Sequence, residues 1–376
     1  MKGLLTSPGL HELLAEPCSV PVAQAMEEGM VPVGYTCSYV PEVMLSVGKL
    51  FPVRMRAPGV TGTETADTYM PSTLCSYTRS ILEYFMEGRY DFLGGWVFAA
   101  SCDHLRRLYD NMDYLAKPEF IHVLDVPHKS TDEGVEWMRE ELDIFRKALS
   151  GHFGVIMDDD ALARAIGDYN GHISLINSIG VTRKLSAPPV SGTEFHRLML
   201  ASMTIPPKAF AGIAREMKEE LNDRPGIDGY RARLMVMGGQ LDDPEYIAVI
   251  ESQGGLVVAD RFCTGSIPHL TPVPESRDPL TALARHVFAR TDCPRMMGDF
   301  SGRIERIVNA VDEYRVDGVV IETIKFCDIW GYEAAAIVSA LRERRIPVLR
   351  LEREYRLTGE GQLRTRIQAF LESMGK

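Results

Sequence analysis

Two stretches of this chain share one design. Gly94 to Asp103 (GGWVFAASCD) and Asp317 to Asp328 (DGVVIETIKFCD) each carry a glycine, an apolar strand-like run, and then a Cys-Asp pair. A helical pattern follows each. A thiol at the carboxyl end of a buried parallel strand lies where open α/β sheets bind ligands. Two such ends predict two half-sites facing a common cleft. Cys37 and Cys263 also fall just beyond predicted strands, Cys75 falls in the first turn of a predicted helix, and Cys293 in the turn DCPRMMG. Free cysteines are usually small buried hydrophobes, and filler cysteines would fall inside strands or on apolar helix faces. Of the seven, only Cys18 fits neither pattern, and it reads as structural.

Thiolates are metal and redox groups, and amide N–H groups at a helix start favour them. The chain has no CxxC, which argues against zinc ribbons and thioredoxin-like pairs. Ligands spread along a whole chain suit an iron–sulfur cluster held between domains. The competing reading is buried free cysteines.

The elements needed to position these groups follow from the pattern. Predicted strands cover 31–35, 51–55, 96–100, 121–126, 234–237, 256–259, 318–324 and 348–351, with helical patterns between them. Strands alternating with helices at this spacing indicate an α/β fold of doubly wound parallel sheets, two Rossmann-like domains joined by a helical insertion. The order strand, turn, Pro-Glu helix, strand occurs at 31–55 and again from 234. The expected domains are 1–130, an N-terminal α/β domain with cluster cysteines; 131–228, a helical bridge or cap; and 229–376, a C-terminal α/β domain. A helix is expected from Pro41 to Val47, with Glu42 at its positive end.

Composition narrows the classes. A net charge of −11 argues against a nucleic-acid partner. No apolar run reaches the roughly 18 residues of a membrane span. The opening MKGLLTSPGLHELLAEPC is a poor secretory signal, so a cytoplasmic location without a disulfide framework is expected. No GxxxxGK[ST], HExxH or GxSxG occurs, and GVTGTETAD lacks the spacing of a dinucleotide fingerprint. His104 follows Cys102-Asp103 and could touch a site, although a lone histidine is more often structural. Arg106-Arg107 and the run Arg342 to Arg345 read as solvated helix faces or as contacts for anionic groups.

Taken together, GYTCSYVPE, STLCSYTRS, VFAASCDHLRR, CPRM, VDGVVIETIKFCD and VLRLEREYRLTGEGQLRTRIQAFLE resemble the 2-hydroxyacyl-CoA dehydratase / benzoyl-CoA reductase family over residues 31–375. The length resembles its smaller iron–sulfur subunit. The resemblance implies a 4Fe-4S cluster between two Rossmann-like domains. It also implies a homologous larger subunit, an acyl-CoA substrate, and a separate ATP-hydrolysing iron–sulfur activator that delivers one low-potential electron. The substrate thioester would be reduced to a ketyl radical, for dehydration or ring reduction, and this chain would bind no nucleotide. Cys75, Cys102 and Cys327 match three core ligand positions. Cys37 occupies the position of the fourth, which implies a closed coordination sphere and an electron relay.

Two alternatives stay open. Relatives with a double-cubane 8Fe-9S cluster use cysteines from both domains and act as homodimers on small substrates. Cys263 and Cys293 would complete such a set. The fold could also be retained by a non-catalytic scaffold subunit. Glu42 and His104 are the acid–base candidates near the cluster positions. GYTCSYVPE and IHVLDVPHKSTDEG lean toward the reductase's small subunit, and the particular acyl-CoA is not legible.

Overall fold

A computed structural model describes residues 9–266 and 271–376. Among these residues the strands are β1 (Val31–Tyr35), β2 (Leu50–Arg54), β3 (Trp96–Ala99), β4 (Ile121–Leu124), β5 (Ala232–Gly238), β6 (Gly255–Arg261), β7 (Gly318–Ile324) and β8 (Val348–Arg353). They form two four-stranded sheets, β2-β1-β3-β4 and β6-β5-β7-β8. Every pairing is parallel. The fold is therefore α/β with two parallel-sheet units, as the alternation predicts. The two sheets have the same order, so each chain half builds the same unit.

Strands covered on both faces carry continuous apolar runs rather than alternation. β5 and β7 are buried at every residue, whereas edge strand β8 mixes exposed and buried positions. In each sheet the chain winds outward in opposite directions from the central pair. The switch points are therefore the carboxyl ends of β1 and β3 and those of β5 and β7.

The helices are α1 (Gly9–Leu14), α2 (Val20–Glu27), α3 (Ser76–Met86), α4 (Asp103–Ala116), α5 (Asp132–Phe153), α6 (Asp159–Gly180), α7 (Gly192–Thr204), α8 (Pro207–Asp223), α9 (Pro244–Glu251), α10 (Pro279–Phe288), α11 (Phe300–Glu313), α12 (Asp328–Glu343) and α13 (Glu360–Ser373). In α5, Val135, Met138, Leu142, Phe145, Leu149 and Phe153 make one buried stripe, and Thr131 caps its start by accepting from Gly134 N. That stripe packs with Val33, Tyr35 and Val97 of the first sheet and with Leu283 and Val287 of α10. The second half of the chain thus returns a helix to the core of the first. The second sheet is covered on one side by α9 and α13 and on the other by α11 and α12.

One predicted helix is absent. Residues 41–47 form only a short 3-10 turn, Met44–Ser46. Val43, Met44, Leu45 and Val47 are all buried, so the segment has no polar face to turn to water. Gly48 then turns with φ +66° and β2 starts two residues later. The expected dipole role for Glu42 fails for this reason.

Candidate functional site

Three of the site cysteines are helix N-caps. Cys75 precedes α3, Cys102 precedes α4 and Cys327 precedes α12. Cys75 is thus one residue before the helix in which it was expected. Cys102 and Cys327 each follow a central strand by three residues, after β3 and β7. Cys37 follows β1, Cys263 follows β6, and Cys293 lies in the turn between α10 and α11. Three of the six come from each half of the chain.

The six thiols share one electrostatic environment. The charges of Cys75, Cys327 and Cys37 all act on Cys102. Those of Cys293, Cys37 and Cys327 act on Cys263. Burial, reinforced by the neighbouring thiols, pushes Cys327 up to about 12 and Cys293 to about 11, and holds Cys102 and Cys263 well above the usual thiol range. At Cys75 burial also wins over the amide N–H groups of Tyr77 and Thr78. The amide N–H groups at the helix start favour the charged form, as expected from the sequence, and burial opposes them. Desolvation of the charged form outweighs the dipole. Cys18, expected to be structural, is exposed.

Residues between the two units hold these loops together. Ser38 Oγ donates to Cys263 O at 3.0 Å, and Gln240 Nε2 to Thr36 O at 3.4 Å. Arg295, two residues after Cys293, is 2% exposed. It donates to Ser101 O at 3.1 Å, Ala100 O at 3.2 Å, Pro127 O at 2.7 Å and also Val126 O. One guanidinium thereby ties the Cys293 turn to the ends of β3 and β4. Tyr355, beyond β8, reaches across to the first unit. Its hydroxyl donates to Asp242 Oδ2 at 2.5 Å and accepts from Ala57 N at 2.9 Å, and its own N donates to Ser76 Oγ at 2.8 Å.

His104 sits between two of the cysteine loops. Its Nδ1 accepts from Cys75 N at 3.2 Å, and its Nε2 faces Asp328 Oδ2 at 3.5 Å. Burial lowers its pKa against the pull of Asp328 and Asp103. A neutral ring accepting at Nδ1 must carry its proton on Nε2, toward Asp328. Glu42 is placed differently. It accepts a hydrogen bond from Tyr35 OH, and burial raises its pKa. Tyr35 belongs to the core between the first sheet and α5.

Five buried polar atoms at these strand and helix ends have no hydrogen-bond partner among the described residues: Thr36 Oγ1, Arg54 Nε, Gln240 Oε1, Glu322 Oε1 and Trp330 Nε1. Buried polar groups are ordinarily satisfied, so each of these atoms is open to a polar group bound at the strand ends. Among the described residues no three His, Cys, Asp or Glu side chains are placed to hold one metal ion. An iron–sulfur centre is polynuclear, so each thiolate would bind a different iron and the ligands need not share one ion. A cleft of about 500 Å³ opens beside Tyr355, lined by Arg56, Arg197, Asp242 and Arg356, but none of the cysteines lines it.

The fold and the site define a protein of two like parallel-sheet units whose carboxyl ends present cysteines to one another. Residues 37–374 match the family model described as 2-hydroxyglutaryl-CoA dehydratase, D-component, and the chain belongs to this family. It is 25% identical over 359 residues, 94% of each chain, to the (R)-phenyllactyl-CoA dehydratase beta subunit of Clostridium sporogenes. It is 20% identical over 366 residues, 97% of each chain, to the lactoyl-CoA dehydratase subunit beta of Anaerotignum propionicum. It is 22% identical over 329 residues, 84% of each chain, to a benzoyl-CoA reductase subunit of Thauera aromatica. These matches agree with the resemblance read from the motifs. No helix among the described residues is long and apolar enough to cross a membrane.

Arg54 and Arg295 escape a reading of the sequence for reactive types. Each had a faint signal. Arg54 is an arginine inside an otherwise apolar strand, LFPVR, and Arg295 is the only charged residue of CPRM.

Proposed function

We propose that this chain is an iron–sulfur subunit of an enzyme acting on acyl-CoA thioesters and that it relays low-potential electrons. The observation that carries the reading is the gathering of six buried or half-buried, electrostatically linked thiols, three from each half of the chain, about the carboxyl ends of two like sheets. Its relatives, all named as dehydratase or reductase subunits, supply the acyl-CoA context. Cys75, Cys102 and Cys327 would hold the cluster, with Cys37 as fourth ligand, and the bound 4Fe-4S group would supply reversible one-electron transfer. His104 fixes the Cys75 loop against the Asp328 helix start, and Arg295 fixes the Cys102 and Cys293 loops together. A homologous larger subunit would bind the substrate, and an ATP-hydrolysing iron–sulfur activator would deliver the electron in the cytoplasm.

A second reading has one specific observation in its favour. Cys263 and Cys293 act on each other and on the Cys37 side of the site, so all six thiols form one group. That set would suit a double-cubane 8Fe-9S cluster in a homodimer.

The deciding measurement is iron and acid-labile sulfide per chain, with EPR of the reduced state, on protein prepared without oxygen. About four irons support the relay subunit and about eight the double cubane. Cys37→Ser is expected to lower iron content and alter the spectrum. If both were unchanged, Cys37 would not be the fourth ligand. No iron after reconstitution would leave a scaffold role.

A further inference from the structure

Arg54, the last residue of β2, is 2% exposed and sits beside Tyr35 at the end of the β1–β2 pair. Its Cζ lies 5.2 Å from the centroid of the Tyr35 ring. Among the described residues its Nε has no hydrogen-bond partner, and no carboxylate comes within ion-pairing distance of its guanidinium. Glu42 feels the charge of Arg54 from farther off, but its carboxyl accepts from Tyr35 and burial pushes it toward the neutral form. The other deeply buried arginines are treated differently. Arg183 pairs with Asp260 at 2.7 Å, Arg353 pairs with Glu322 at 2.5 Å, and Arg295 is surrounded by backbone carbonyls. Burying a cation without a partner is among the costliest placements in a protein. The groups within electrostatic reach of Arg54 are Tyr77 and Tyr35 and, after them, Cys37 and Cys263, one thiol from each half of the site. Cysteines bind a metal centre as thiolates, so a centre held there would bring negative charge within reach of Arg54.

We infer that Arg54 is the fixed positive charge that compensates an anionic iron–sulfur centre on the Cys37 and Cys263 side of the site. The inference rests on the function proposed above and goes beyond it, since it assigns a charge-compensating residue that binds no iron itself. A cation beside the centre stabilises the extra negative charge of the reduced state more than that of the oxidised state, and so raises the reduction potential. With the centre absent, the same cation is an uncompensated buried charge and a burden on the fold. The two effects of neutralising it therefore have opposite signs, which a merely structural arginine would not produce.

The test uses the full chain and its Arg54→Met and Arg54→Lys variants. Each is reconstituted with iron and sulfide without oxygen and titrated by EPR, and each is also melted in metal-free form. The Met variant is expected to shift the one-electron equilibrium about tenfold toward the oxidised state, a potential about 59 mV more negative. The Lys variant is expected to stay closer to the parent. Metal-free Met protein is expected to melt at or above the parent temperature, because an unpaired buried charge has gone. Loss of iron by the Met variant alone also supports the inference. A Met variant with full iron and the parent potential overturns it, as does metal-free Met protein that melts well below the parent. If the parent chain takes up no iron, the functional reading fails and takes this inference with it. If the parent loads and only the variant's potential is unmoved, Arg54 alone is misassigned.

Discussion

Replacing Arg295 by Met removes one of the donors that tie the two halves of the site. Four carbonyl oxygens lose a partner: Ala100, Ser101, Val126 and Pro127. A hydrogen bond to a charged group contributes about 1.5–3 kcal/mol, so four would sum to roughly 6–12 kcal/mol if they were independent. They are not independent. Removing the guanidinium also relieves the cost of burying it, and one residue's bonds do not add. The expected net loss is about 3–5 kcal/mol, as for other buried charges stripped from their partners. That is a large share of a typical total of about 5–15 kcal/mol. Arg295→Lys supplies a point donor rather than a fork and should recover roughly 1–2 kcal/mol. The assay is urea unfolding of metal-free protein followed by circular dichroism, in which the midpoint should fall at unchanged slope. A shift worth less than about 1 kcal/mol would refute the reasoning, because the carbonyls must then be satisfied without Arg295.

Two further outcomes are expected. Tyr355→Phe keeps the ring beside Tyr77, at 5.4 Å between centroids, but loses the bonds to Asp242 and Ala57 N. It should cost about 1–3 kcal/mol, and an unchanged melting temperature would show that this contact between the units does not matter. Burial holds His196 at about 4, outweighing the nearby Asp260 charge. The unfolded ring takes up its proton near pH 6.5, so between about 6.5 and 4 the unfolded state binds more protons, and stability falls as pH is lowered through that window. The full effect of this group is on the order of 3 kcal/mol. His196→Leu should reduce the slope without abolishing it, since burial also lowers His122 to about 4. An unchanged slope would contradict the assignment.

How much of this was legible beforehand differs from residue to residue. β1 and β7 lie at their predicted residues, and the other strands are found within a few residues of theirs, because buried parallel strands advertise themselves as continuous β-branched runs. Cys102-Asp103 and Cys327-Asp328 were visible as a repeated pair because a strand end followed by a helix start is a local event. Glu42 misleads for the same reason. Its helical cues are local, and the apolar residues after it are claimed by the core. Cys75 reads as first-turn in the sequence and is the N-cap in the structure, because cap and first turn share the same local residue preferences.

The sequence by itself determined the alternation of strands and helices, the doubling of one unit, and the thiols at the ends of those units. These depend on periodicity and on neighbours a few residues apart. Only the tertiary structure decided that α10 returns to the first core, that Arg295 reaches carbonyls nearly 200 residues earlier in the chain, and that Arg54 is buried over the Tyr35 ring, within electrostatic reach of thiols from both halves and with its Nε unpartnered. Desolvation and hydrogen-bond completion depend on what surrounds a group in space. An arginine's type states its charge, but whether that charge is solvated, paired or left for a bound group is settled only when distant segments close around it.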